Sequence, residues 1–158
     1  MAEKFLSYLT EADFSEYTYN KTVKIAADKG AISDLRFTVG QDLQDAGFKY
    51  RNLFLVALDE IITNIAEHGL EFDKTRSIEV AIYAQHPVIG VVLEDQGSSF
   101  DPRKKRAKSP KRQFAKGADG GYGMYIYKRV FHKIDYSTEK KTNRMVLYFN
   151  DKKVKLPS

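Results

Sequence analysis

Apolar positions fall into two rhythms along this chain. Between Tyr50 and Leu70, Phe54, Leu58, Ile61, Ile62 and Ile65 recur at steps of three and four, the spacing that lines one face of a helix. Ala31–Ala46 repeats that step at Ile32, Leu35, Val39 and Leu43, and Gly47 follows as a stop. Tyr17–Ala27 alternates instead and closes on Val23, Ile25 and Ala27, which predicts a strand. Ser77–Gln85 and Val88–Glu94 are two apolar runs parted by His86–Pro87, the pattern of a hairpin. Gly121–His132 reads as a helix that starts just after glycines. Lys133–Ser137 and Arg144–Asn150 read as closing strands, with Lys140–Asn143 as their turn. Three helices and five strands, with hairpins dominant, predict an α+β fold. The expected form is a two-layer α/β sandwich, with helices on one face of a mixed, mostly antiparallel sheet.

The length, 158 residues, suits one such domain, and a chain of that size buries a core without staples. Residues 1–17 are weakly patterned and read as an arm or short helix, 18–150 as the domain, and 151–158 as a polar tail. Gln96–Gly120 is polar and aperiodic, and a loop that long inside a domain is usually functional. The chain has no cysteine, which excludes disulfides, thiolate metal sites and cysteine nucleophiles. It has no apolar run of membrane-spanning length. Met1–Thr10 carries Glu3 and Lys4 and has no apolar core of a secretory signal, so a cytoplasmic protein is expected.

The net charge of +5 suggests a polyanion partner until its distribution is read. Pro102–Lys116 holds eight cations and no acid, so the remainder of the chain carries −3. The basic character belongs to one loop, whose single aromatic, Phe114, gives no stacking platform for nucleic acid. The eight cations suit either an acidic protein partner or a bound triphosphate.

Three short segments carry candidate chemistry. Glu60 and Asn64 lie one turn apart on the strongest helix and so share a face. A carboxylate there can position an attacking hydroxyl, and an amide oxygen can complete the shell of Mg²⁺. Alone, the pair reads as two polar residues on a solvated helix face. Asp95 and Gly97 stand at a strand end, where a buried carboxylate can accept a hydrogen bond from the exocyclic amine of adenine and mismatch guanine. Asp and Gly also end strands as ordinary turns. Gly117–Gly123 precedes a helix, where exposed N–H groups attract phosphate. It is no P-loop, because no Gly-Lys-Ser/Thr follows, and no dinucleotide fingerprint, because no βαβ unit surrounds it. The three histidines show no metal-ligand spacing.

In order and spacing these segments resemble the GHKL, or Bergerat-fold, ATPases. Glu60-Ile-Ile-Thr-Asn64 is similar to their N box, continued by His68-Gly69. Asp95-Gln-Gly97 is similar to the first glycine box, and Gly120, Gly121, Tyr122, Gly123 and Met124 to the second. Residues of about 98–119 then stand where the ATP lid falls. Within that superfamily the chain resembles the bacterial anti-sigma factor serine-protein kinases, which are single domains of this length. The resemblance implies Mg²⁺ and ATP as cofactors and phosphate transfer to a Ser or Thr of a STAS-domain anti-anti-sigma partner. It also implies sequestration of a sigma factor and a homodimer.

By the same resemblance Glu60 is the catalytic base, Asn64 the magnesium ligand, Asp95 with Gly97 the adenine reader, and the second box the phosphate cradle. Arg103, Arg106 and Arg112 are its candidates for a lid arginine. Gln96 stands for the family's usual Asn, Ser98–Ser99 for a small-Gly pattern, and Met124 for Leu. An alternative is a regulatory module that binds ATP and controls a partner without phosphotransfer.

Overall fold

The computed structural model describes residue 14, residues 16–99 and residues 127–155. Five strands form one sheet: β1 (Tyr19–Ala26), β2 (Ser77–Gln85), β3 (Val88–Asp95), β4 (Lys133–Glu139) and β5 (Thr142–Asn150). Their order across the sheet is β1-β2-β3-β5-β4. All four pairings are antiparallel, so the sheet, expected as mixed and mostly antiparallel, is antiparallel throughout the described strands. Helices α1 (Lys29–Asp42) and α2 (Arg51–Asn64) pack against it as a second layer.

Strand periodicity decides which residues meet the helices. Val80, Ile82 and Ala84 of β2, Ile89, Val91 and Leu93 of β3, and Met145, Leu147 and Phe149 of β5 enter the main core with Phe54, Leu58, Ile61 and Ile62 of α2. The intervening residues Ala81, Tyr83, Val92, Val146 and Tyr148 are also buried, in a second cluster with Phe14 on the opposite face. Burial on both faces explains why β2, β3 and β5 read as nearly continuous apolar runs. Phe14 lies so close over Gly90 that a Cβ there would come within 2.6 Å of its ring.

Several boundaries move from their expected places. α1 begins at Lys29 because the Asp28 carboxylate accepts from the Ala31 amide at 3.0 Å and caps the helix. It ends at Asp42, with turns running on to Gly47, whose φ of +86° suits glycine. The expected turn Lys140–Asn143 shrinks to Lys140 and Lys141, both at positive φ, as a two-residue hairpin turn of the I′ kind requires. Asn143 therefore belongs to β5 and pairs with Asp95. The helix expected over Tyr50–Leu70 is α-helical only to Asn64, and Ile65–Gly69 widens into a π-helical turn.

Both ends of α2 are fixed by distant parts of the chain. At its start, no side chain of Tyr50 caps the helix. Instead the buried Asp151, just past β5, accepts from the Lys49 and Tyr50 amides, each at 2.8 Å. At its far end, the Gly69 carbonyl accepts from the Ser98 amide at 3.0 Å. A Cβ on Gly97 would sit 2.2 Å from the Gly69 oxygen and 2.7 Å from its carbon. The loop after β3 thus abuts the end of the helix backbone to backbone. Arg76 donates to the Gln96 carbonyl at 2.7 Å and holds that loop from the other side.

His132 ties the last strand to the tail. Its Nδ1 accepts from the Asn150 amide at 3.1 Å, so Nε2 carries the proton that reaches the Lys153 carbonyl at 3.0 Å. Burial holds its pKa below the ordinary 6.5. Protonating Nδ1 would set an N–H against the Asn150 N–H. As pH falls, the unfolded chain takes up this proton before the folded one does. The stability from neutral His132 is thus complete above 6.5 and is lost as pH falls from there through the folded value. Denaturant unfolding of the parent protein is expected to weaken between pH 7 and 5.5 more steeply than that of His132→Gln. Equal slopes would remove this role. Gly97→Ala is expected to destabilise by about 3 kcal/mol, because its new methyl meets backbone that cannot rotate away. An unchanged thermal midpoint would contradict the close contact.

Candidate functional site

The strand alternation that buries Ile89, Val91 and Leu93 toward the helices carries on to Asp95, the last residue of β3. The same rule on β5 brings Asn143 to the helix side directly opposite, in register with Asp95. Both are buried, at 8% and 3% exposure, and both are polar at the end of an apolar sheet. Such groups persist when their hydrogen bonds are met.

Here the bonds converge on one oxygen. Asp95 Oδ1 accepts from the Gly97 amide at 2.8 Å and from Asn143 Nδ2 at 3.0 Å. Asn143 Nδ2 also donates to the Gly97 carbonyl at 2.9 Å, and its Oδ1 accepts from Thr138 Oγ1 at 2.9 Å and Ser99 Oγ at 3.3 Å. Among the described residues Asp95 Oδ2 carries no hydrogen bond. The aspartate lines a small cavity together with Ile65, Gly69, Ser98, Tyr136, Asn143 and Met145. Its walls mix apolar side chains with polar groups, and its volume of about 10 Å³ leaves room for about one water.

Glu60 and Asn64 occupy the last turn of α2, one turn apart, and are half-buried beside the fully buried Ile61 and Ile62. The Gly69–Gly97 contact joins this helix end to the Asp95 strand end. Burial, with the neighbouring Asp59 charge adding to it, raises the Glu60 carboxyl above the ordinary 4.5. A shift in that direction makes a carboxylate a better proton acceptor near neutral pH.

Behind the pair stands Tyr127, fully buried in the short helical segment 127–130. Its hydroxyl faces Asn64 and Glu60 without closing a hydrogen bond of good geometry to any described residue. Leaving such a group unpaired costs about 1–3 kcal/mol. Burial pushes its pKa up to about 12, with Asn64 opposing the rise and Glu60 adding to it.

Glu60, Asn64, Asp95 and Gly97 are thus brought to one end of the sheet. Gly97 gains a reason beyond approach to a base, since Gly69 alone already excludes a side chain there. Gly120, Gly121, Tyr122, Gly123 and Met124, together with Arg103, Arg106 and Arg112, lie outside the described residues. So does the expected lid, apart from Ser98 and Ser99. His68, in the π-helical turn, is exposed and lies 3.8 Å from Glu67. Asn143 and Tyr127 escaped the sequence reading. Asn143 was hidden by the overlong turn, and Tyr127 by being one aromatic among apolar residues. A polar residue opposite Asp95 in strand register is the signal that finds the first.

The donor set fits Mg-ATP. Asp95 Oδ2 offers an acceptor to an exocyclic amine, and Asn64 offers an amide oxygen beside a carboxylate. No cluster of three His, Cys, Asp or Glu that could hold a metal exists among the described residues. Magnesium tolerates such a site, since it keeps most of its shell as water and phosphate oxygen.

Known proteins share the pattern. The chain is 24% identical over 118 residues to the serine-protein kinase RsbW of Bacillus licheniformis, covering 71% of this chain and 74% of that protein. It is 22% identical over 139 residues to the RsbW of Bacillus subtilis (84% and 87% covered). It is 24% identical over 140 residues to that of Listeria innocua (84% and 89% covered). The histidine kinase-like ATPase domain matches residues 25–149, which takes in α1, α2, the end of β1, all of β2, β3 and β4, nearly all of β5 and every described site residue, and this chain belongs to that family.

Proposed function

We propose that this chain is an ATP-dependent serine/threonine-protein kinase and anti-sigma factor. It phosphorylates a STAS-domain anti-anti-sigma partner and sequesters a sigma factor, acting in the cytoplasm as a homodimer. One observation carries the reading: a buried aspartate with a free oxygen is joined, glycine to glycine, to a helix end bearing a carboxylate of raised pKa and an amide. A module that only bound ATP would have no use for Glu60. The likeness to serine-protein kinases supports the same choice of substrate. No helix among the described residues is long and apolar enough to cross a membrane.

Asp95 Oδ2 accepts from the exocyclic amine of adenine, and Asn143 holds Asp95 in the orientation that leaves that oxygen outward. Asn64 presents its amide oxygen to magnesium. Mg-ATP, when bound, supplies the phosphoryl group and the charge neutralisation its transfer needs. Glu60 accepts the proton of the attacking Ser or Thr hydroxyl, a task for which its raised pKa suits it. An arginine among Arg103, Arg106 and Arg112 would add positive charge at the γ-phosphate.

Titration calorimetry with ATP and GTP, each with and without Mg²⁺, is the direct test of the nucleotide site. Mg-dependent binding of ATP with little binding of GTP is expected, and binding of neither would end this reading. Glu60→Gln is expected to bind ATP normally while phosphotransfer to the STAS partner falls by about 10²–10⁴-fold. Parent-like transfer would show that the base is another group. Asp95→Asn keeps an acceptor oxygen for Gly97 and Asn143 but turns an N–H toward adenine. It is expected to leave the thermal midpoint nearly unchanged, weaken ATP by about 10- to 100-fold and narrow the preference over GTP. Unchanged ATP affinity would remove Asp95 from base recognition.

A further inference from the structure

The buried Tyr127 hydroxyl has no place in the function described so far. Packing does not call for it. Tyr127 belongs to the main core with Phe54, Ile61, Val130 and Phe131, where a phenylalanine would fill the same space. The hydroxyl is fully covered, closes no hydrogen bond of good geometry with a described residue, and lies against the Asn64 amide within the field of Glu60. Those two are one helical turn apart, so a single hydroxyl can reach both.

We propose that Tyr127 is a positioning residue, whose hydroxyl links the Asn64 amide to the Glu60 carboxylate and thereby turns the Asn64 oxygen toward the metal. The inference rests on the kinase reading of Glu60 and Asn64. It follows from counting donors and acceptors. An ionised carboxylate only accepts, and a hydroxyl has one proton to give. If the Tyr127 proton goes to Glu60, its oxygen has only lone pairs left for Asn64. The amide group can meet those only with its NH₂ end. The Asn64 carbonyl oxygen then points away from Tyr127, the orientation a magnesium ligand requires. Without the hydroxyl, the two ends of the amide are nearly isosteric and nothing on this side chooses between them. Glu60 gains as well, because one carboxylate oxygen is held and the other stays free for the substrate hydroxyl.

Tyr127→Phe deletes that one atom. Three readouts separate positioning from packing. The thermal midpoint of the nucleotide-free variant is expected to stay nearly level, since phenylalanine fills the same core space. ATP affinity with Mg²⁺ is expected to fall about tenfold, while affinity in EDTA stays at the parent value. The same substitution made on Asn64→Ala is expected to add nothing to the loss of Mg²⁺ dependence, because the group it orients is absent. A lower midpoint with parent-like Mg²⁺ dependence would overturn the proposal and make Tyr127 a core residue only. Additive losses in the double variant would overturn it too. Parent protein that binds ATP in Mg²⁺ beside a variant that binds it identically would refute Tyr127 alone. Parent protein that binds no ATP would refute the kinase reading and Tyr127 with it.

Discussion

The site depends on one steric constraint, the contact between Gly69 and Gly97. Two backbones approach so closely there that neither chain segment has room for a side chain at position 97. A single hydrogen bond, from the Ser98 amide to the Gly69 carbonyl, fixes the register of that approach. Everything proposed to touch the nucleotide follows from it. Asp95 is two residues before Gly97 on a rigid strand, and Asn64 is five residues before Gly69 on a helix and its widened last turn. Had the helix kept α geometry to its end, the Gly69 carbonyl would face elsewhere. The π-helical turn aims it at the strand.

Polar chemistry survives at this end of the core because its atoms are satisfied in a fixed order. Asn143 is spoken for on every side: its NH₂ by Asp95 and the Gly97 carbonyl, its oxygen by Thr138 and Ser99. Among the described residues that network leaves one Asp95 oxygen without a hydrogen bond, the oxygen proposed to meet the base. Tyr127 is less tightly held, its buried hydroxyl lying against Asn64 without a hydrogen bond of good geometry to any described residue.

Much of this was legible in the residues. The three-and-four step of Phe54, Leu58, Ile61 and Ile65 marked α2, and the apolar runs around His86–Pro87 marked the central hairpin, because periodicity reports burial directly. Type, spacing and the family resemblance singled out Glu60, Asn64, Asp95 and Gly97. The misses share a physical cause. Lys140 and Lys141 adopt positive φ without the Asn or Gly that normally signals it, so the turn looked longer and Asn143 fell outside its strand. The π widening after Asn64 leaves the apolar pattern nearly intact and has no side-chain signature. Tyr127 resembles any aromatic core residue, and only the position of its hydroxyl distinguishes it. Asp151 acts across a hundred residues of chain, a distance no local pattern spans.

That aspartate has a mechanical consequence. α2 is 14 residues long, about 21 Å of helix, and it is bolted at its start to the chain just past the last strand and at its end to the loop beyond the third. Glu60 therefore rides on a strut pinned at both ends, and cannot travel to meet a substrate without breaking one of the joints. On the proposed kinase reading, the substrate serine or threonine has to be delivered to the helix end that carries Glu60. Choice of partner then belongs to surfaces away from the strut, which are free to diverge while the machinery beneath them stays still.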